Sequence, residues 1–245
     1  MPDVKLDTYI AAVATHEFSD MGPRVTDVLD QIGEAQDDRA QGFRLLALRR
    51  YLRVVDEHTL KGMRERWTWT AEEATTLSNV GTAKLLMEEA AGVQKRFAEK
   101  NPGCTLALSP LRSLESQVSL WKGNPTVQLV APVMRDTIIA EIASADYPDQ
   151  PTDQSIGKFT TALRKYKPQP EPTSAAPGTS DHGQLRAVDF VVLEKGRQVA
   201  GTTSSTIDTV WKKGGWEAKL IAACAGSKLV GPLQNPYEPW HWRLV

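Results

Sequence analysis

Apolar residues recur along this chain mostly at helical spacing, and at strand spacing in only a few short places. Leu6 to Thr15 is apolar-rich, and Val25, Val28, Leu29 and Ile32 fall on one helical face. Leu45, Leu46, Leu48, Leu52 and Val55 run through an Arg-rich stretch, which reads as one long helix from Phe43 to Met63. Thr70 ahead of Ala71-Glu72-Glu73 has the form of an N-cap followed by an acidic first turn. From Gly81 onward Leu86, Ala90, Val93 and Phe97 recur at i, i+4, i+7 and i+11, one apolar face of a helix. Asn101-Pro102-Gly103 ends it, and Cys104 to Leu108 reads as a short buried strand.

Glu115 to Trp121 returns to a helical pattern, as do Thr137 to Ala145 and Gly157 to Tyr166. The segment from Lys167 to Ser174 holds three prolines and predicts a loop or polyproline-type arm. Ala187 to Leu193 is a strand, Thr206 to Trp211 and Trp216 to Cys224 are helical, and the sequence finishes on an aromatic cluster. The expected organisation is a helical region over 1–80 and a second domain over 81–245, interrupted by an insertion at about 133–175.

Composition narrows the function. Apolar residues make up 41% and charged residues 24% of the 245 positions, as in an ordinary folded protein. A net charge of -1 argues against nucleic acid as a partner, since phosphate binding needs an excess of Lys and Arg on one face. No apolar run approaches the roughly 18 residues of a membrane span. The start of the sequence lacks the basic and then apolar stretch of a secretory signal, so synthesis in the cytoplasm without a standard export route is expected. The two cysteines, Cys104 and Cys224, form no zinc knuckle. Histidine chemistry must come from His16, His58, His182 and His241. The first two stand in helical context with no second ligand type at i+3 or i+4, and read as surface or packing residues.

Two segments concentrate the chemistry. One is Ser180-Asp181-His182-Gly183-Gln184-Leu185-Arg186-Ala187-Val188-Asp189, the other Glu238-Pro239-Trp240-His241-Trp242. A hydrolytic zinc site wants three protein ligands and one open position, and two imidazoles with one carboxylate suit it. His182, Asp189 and His241 are the candidate ligands. An offset of seven along a strand would put His182 and Asp189 on opposite faces, so the Gly183-Gln184-Leu185 turn must reorient the histidine. Glu238, three residues before His241, is placed to act as a general base on an attacking water. Trp240 and Trp242 flank the histidine ligand.

These segments resemble the signatures of the D-alanyl-D-alanine carboxypeptidase family, the VanY-like branch of the LAS-type zinc peptidases. Ser180-Asp181-His182, Ala187-Val188-Asp189 and Glu238-Pro239-Trp240-His241 match its motifs, and Ser109-Pro110-Leu111-Arg112-Ser113 with Gln117 resembles its strand-end segment and following helix. The resemblance covers roughly 81–132 and 174–245. It implies an α+β fold, a small antiparallel sheet with flanking helices holding a zinc groove, preceded here by the helical region. It implies Zn2+ on His182, Asp189 and His241, catalysis by Glu238 with Arg112 at the developing oxyanion, and substrate contacts from Ser180, Gln117 and Trp240. Leu185 departs from the pattern, because relatives carry Gly three residues after the first His.

The activity so implied is hydrolysis of peptidoglycan peptides, as a carboxypeptidase or endopeptidase of the kind used by phage lysins and injected effectors. The insertion at 133–175 would form a lid or wall of the groove. The N-terminal region is then the expected contact for a particle, secretion or immunity partner. The alternative is a non-catalytic, zinc-bearing module that binds peptidoglycan or a protein.

Overall fold

The computed structural model describes residues 2–21, 23–34, 39–54, 57–65, 67 and 70–245, with the side chains of Pro2, Asp3 and His58 outside the description. In chain order the helices are α1 (Pro2–Glu17), α2 (Arg24–Gly33), α3 (Ala40–Arg53), α4 (Glu57–Glu65), α5 (Ala71–Leu77), α6 (Gly81–Lys100), α7 (Leu114–Gly123), α8 (Pro125–Ile142), α9 (Asp153–Lys165) and α10 (Trp216–Cys224). The strands are β1 (Cys104–Leu108), β2 (Ala187–Glu194), β3 (Arg197–Ala200), β4 (Leu229–Val230), β5 (Leu233–Gln234), β6 (Tyr237–Glu238) and β7 (His241–Leu244). Among the described residues no helix is long and apolar enough to cross a membrane.

The chain divides into two compact units, 1–67 with 114–180 and 68–113 with 181–245. This differs from the expected boundary near residue 80. The stretch at 133–175 lies within 114–180, the segment that interrupts the second unit in sequence and belongs to the helical one. Its apolar faces decide this: Met134, Ile138 and Ile142 of α8 and Phe159 and Leu163 of α9 are buried, and these helices pack on α1 and α3. It is core material, so deleting it would remove the unit's interior rather than a lid.

Two long-range ties fix this unit. Gly42 of α3 lies so close to α8 that a Cβ there would meet the Ala131 carbonyl oxygen at 2.2 Å, which is why the position carries no side chain. Arg49 is buried and donates to the Tyr166 carbonyl at 2.8 Å and to both oxygens of Glu171 at 2.8 and 3.2 Å. That bidentate pair secures the proline-rich arm, which has no regular structure. The helix expected from Phe43 to Met63 is two helices, with Val54 extended at the end of α3 and Val55 outside the described residues.

The second unit is α+β, as expected. Its sheet runs β1-β2-β7-β4, with β3 added to β2 and every pairing antiparallel. Alternate residues along the strands separate two faces. Val188, Phe190 and Val192 of β2, Trp242 and Leu244 of β7, and Leu106 of β1 join one buried cluster with α6 and α10. The α6 stripe foreseen at Leu86, Ala90, Val93 and Phe97 is buried in full. Asp189 and His241 fall on the other parity and project from the opposite face.

Candidate metal centre

β2 is the central strand, and Asp189 sits where it has neighbours on both sides. The Ser109 N–H donates to the Asp189 carbonyl at 2.9 Å, continuing the β1 pairing. Across β7, Asp189 stands directly opposite His241. The Phe190 N–H donates to Trp240 O and the Leu244 N–H to Arg186 O, so the Asp189–His241 pair lies between ladder bonds. Such a non-hydrogen-bonded pair brings opposing side chains closest. The sheet alone therefore sets two of the three candidate ligands side by side.

His182 arrives from a turn. The Arg186 N–H donates to Asp181 O at 2.8 Å, the Leu185 N–H to His182 O at 3.1 Å, and Leu185 has φ +52°. This is the hydrogen-bond pair of a Schellman motif, with Leu185 at the left-handed position that usually holds glycine. An ion pair between Arg186 and Asp181 at 2.9 Å closes it. The turn supplies the reorientation that the odd spacing demanded, and the left-handed Leu185 explains why glycine suits this position.

The outcome is a triangle of donors. His182 Nε2 lies 2.9 Å from His241 Nδ1 and 3.1 Å from Asp189 Oδ1, and His241 Nδ1 lies 3.2 Å from that same oxygen. Protons satisfy this arrangement poorly. If both rings donate to the carboxylate oxygen, the two nitrogens face each other with no hydrogen bond between them. One cation at the centre uses all three lone pairs. Donors of a four-coordinate ion at about 2.0–2.2 Å stand roughly 3.3–3.6 Å apart, so the observed edges need open by only tenths of an ångström. His182, Asp189 and His241 can hold a metal ion, and they are the group of His, Cys, Asp and Glu side chains among the described residues with that geometry.

The surrounding charges agree with a cation site. Burial alone would raise the Asp189 carboxyl, but hydrogen bonds from His182 and His241, and their charges, hold it well below the usual carboxylate range. Arg112 reaches Asp189 Oδ2 at 3.6 Å and stays partly exposed. Glu238 Oε2 stands 3.9 Å from His241 Nδ1, beside the triangle rather than in it. Burial pushes the Glu238 carboxyl above its ordinary range, Asp189 adds to this, and His241, His182 and Arg112 oppose it. Arg112, His182 and Asp189 line a small cleft with Ser109, Pro110 and Leu111.

The other candidates are placed differently. Trp240 is buried in the helix-covered core, its ring 5.9 Å from that of Trp211. Strand alternation turns it away from His241, so it backs the sheet rather than contacting a substrate. Gln117 lies in α7 of the first unit and accepts the Gly178 N–H at 2.8 Å through its side-chain oxygen. Ser180 is half-buried at the end of that unit. His16 is exposed beside Glu17, and of His58 only the backbone in α4 is described.

Leu111 and Leu185, which adjoin Arg112 and the His182 turn, join one apolar cluster with Ala74, Leu77 and Ala83. Nothing in the sequence signals that Leu111 and Leu185 share this packing. Leu185 is fully buried there, which holds a leucine in a conformation that costs it about 1 kcal/mol or more. Leu185→Ala loses the packing and keeps the strain, so a destabilisation of about 2–5 kcal/mol is expected in urea unfolding. Leu185→Gly loses the same contacts and relieves the strain, and should be the more stable variant by about 1 kcal/mol. The reverse order would show that the turn is unstrained.

No protein-family model, curated protein or solved structure matches this chain.

Proposed function

We propose that the second unit is a zinc-dependent peptidase that hydrolyses peptidoglycan peptides. The observation that carries the reading is a carboxylate, Glu238, standing beside a three-donor triangle without belonging to it. Two imidazoles and one carboxylate suit zinc as they suit other first-row divalent ions, and the choice of zinc rests on the resemblance of these segments to zinc peptidases. His182, Asp189 and His241 would hold the zinc ion, which when bound would supply Lewis acidity: a water pKa lowered to about 7 and a polarised substrate carbonyl.

The chain's own residues supply the rest. Glu238 accepts the proton of the attacking water and returns it to the leaving amine, the work of a general base and then acid. Arg112 offers guanidinium N–H groups to the carbonyl oxygen as charge grows on it. Asp189 Oδ2 stands 3.6 Å from that guanidinium, which leaves Oδ1, beside the two histidines, as the oxygen that would be offered to a metal. The substrate class rests on the resemblance of the His182, Asp189 and Glu238–His241 segments to peptidoglycan carboxypeptidases. None of the residues given a role here belongs to the helical unit, which we assign to delivery or attachment.

The deciding experiment incubates purified sacculi with zinc-loaded and chelator-stripped protein and reads the fragments by mass spectrometry. New peptide termini from the loaded protein alone are expected, and they name the bond. Stoichiometric zinc with an unchanged fragment profile would replace this reading with that of a metal-bearing binding module.

A further inference from the structure

Glu238 rides on a ribbon too small to hold itself. β5 and β6 pair Leu233 with Glu238 and Gln234 with Tyr237, two residues on each strand. A two-stranded ribbon is marginal even at greater length. Something outside it must fix the carboxylate near His241.

Tyr237 makes that attachment. Its hydroxyl donates to Glu217 Oε1 at 2.5 Å, and Glu217 lies in the first turn of α10. Lys212 stands 5.5 Å above the Tyr237 ring centroid and is itself held by Asp208 at 2.8 Å. α10 is anchored in turn, because Leu220, Ala223 and Cys224 are buried in the core of the unit. Successive strand residues point to opposite faces, so tying Tyr237 to α10 presents the Glu238 carboxylate on the other side. Oε2 accordingly stands at 3.9 Å from His241 Nδ1.

We propose that Tyr237 and Glu217 are positioning residues, whose hydroxyl–carboxylate bond fixes the ribbon and sets where Glu238 stands. This rests on the reading of Glu238 as the base. Its structural half is independent of that reading, since it concerns only what holds the ribbon.

Two measurements on the full-length, zinc-loaded protein test it. Tyr237→Phe removes one oxygen and should raise amide hydrogen exchange in 233–238 by about tenfold or more, the loss expected of a bond to a charged group, with β2 and β7 unaffected. Its kcat should fall about 10- to 100-fold at unchanged zinc content and similar KM, as for a reacting group misplaced by about 1 Å. In a Glu238→Gln background the same change should lower kcat no further. Glu217→Gln keeps an acceptor and should restore most of the rate, whereas Glu217→Ala should match Tyr237→Phe. Unchanged exchange in the ribbon overturns the proposal whatever the activity. An equal drop in kcat with and without Glu238 also overturns it, by showing general destabilisation. Full activity of Glu238→Gln alone would instead overturn the assignment of the base, leaving the exchange result to decide what holds the ribbon.

Discussion

Asp189→Asn is expected to remove metal binding from the protein while leaving its sheet intact. Asparagine has the shape of aspartate and can fill the same place in β2, where Asp189 is buried between its neighbours. It lacks the charge. The carboxylate is the one anionic member of the donor triangle, and its Oδ1 lies within 3.2 Å of both ring nitrogens. Loss of a partner outside the ligand shell already costs roughly 10–100-fold in metal affinity, so loss of the anionic ligand should cost more. Binding to the native state alone stabilises it by about 4 kcal/mol when free zinc is 1,000 times Kd. For a unit of about 110 residues that is a rise of roughly 10–20 °C in melting temperature. Wild type should show this zinc-dependent rise and one bound ion by elemental analysis. Asp189→Asn should show neither. An unshifted zinc affinity in the variant would remove the triangle as the metal site.

How much of this could be read in advance depended on whether the deciding interaction was local. The α6 stripe, the strand at Cys104–Leu108 and the helix at Trp216–Cys224 have periodicities that packing then uses as they stand. The clustering of His182, Asp189 and His241 was legible because few histidines exist and two share short segments with carboxylates. Trp240 was misread although its signal was present: a residue adjacent to a ligand on a strand faces away from it. α8 begins at Pro125, well ahead of the expected start at Thr137, because Pro132 is accommodated inside the helix where it would ordinarily break one. The division into units was invisible for a different reason. It depends on α8 and α9 burying their faces against α1 and α3, and sequence periodicity says that a face is buried without saying against what. Leu185 combines both cases: the odd spacing of His182 and Asp189 required a turn, but only the cluster of Ala74, Ala83 and Leu185 shows why a leucine can occupy it.

Glu238→Gln should separate chemistry from metal binding, which Asp189→Asn cannot do. Glu238 is not a member of the donor triangle, and its Oε2 lies 3.9 Å from His241 Nδ1. Glutamine preserves the length of the side chain and a carbonyl that can accept a hydrogen bond. It cannot take a proton from water or return one to an amine. The variant should therefore bind one zinc ion with near wild-type affinity and keep its zinc-dependent rise in melting temperature. Its kcat on muropeptides should fall by about 10²- to 10⁴-fold, the range for losing a positioned proton-transfer group, with KM little changed. The change is felt when a proton moves, not when the substrate is held, so the loss belongs in kcat. If zinc left with the carboxylate, Glu238 would be a fourth ligand and the open coordination position that hydrolysis needs would be gone. If kcat survived at full zinc occupancy, the proton would have to pass through another group, and Glu238 would lose its place in the reaction.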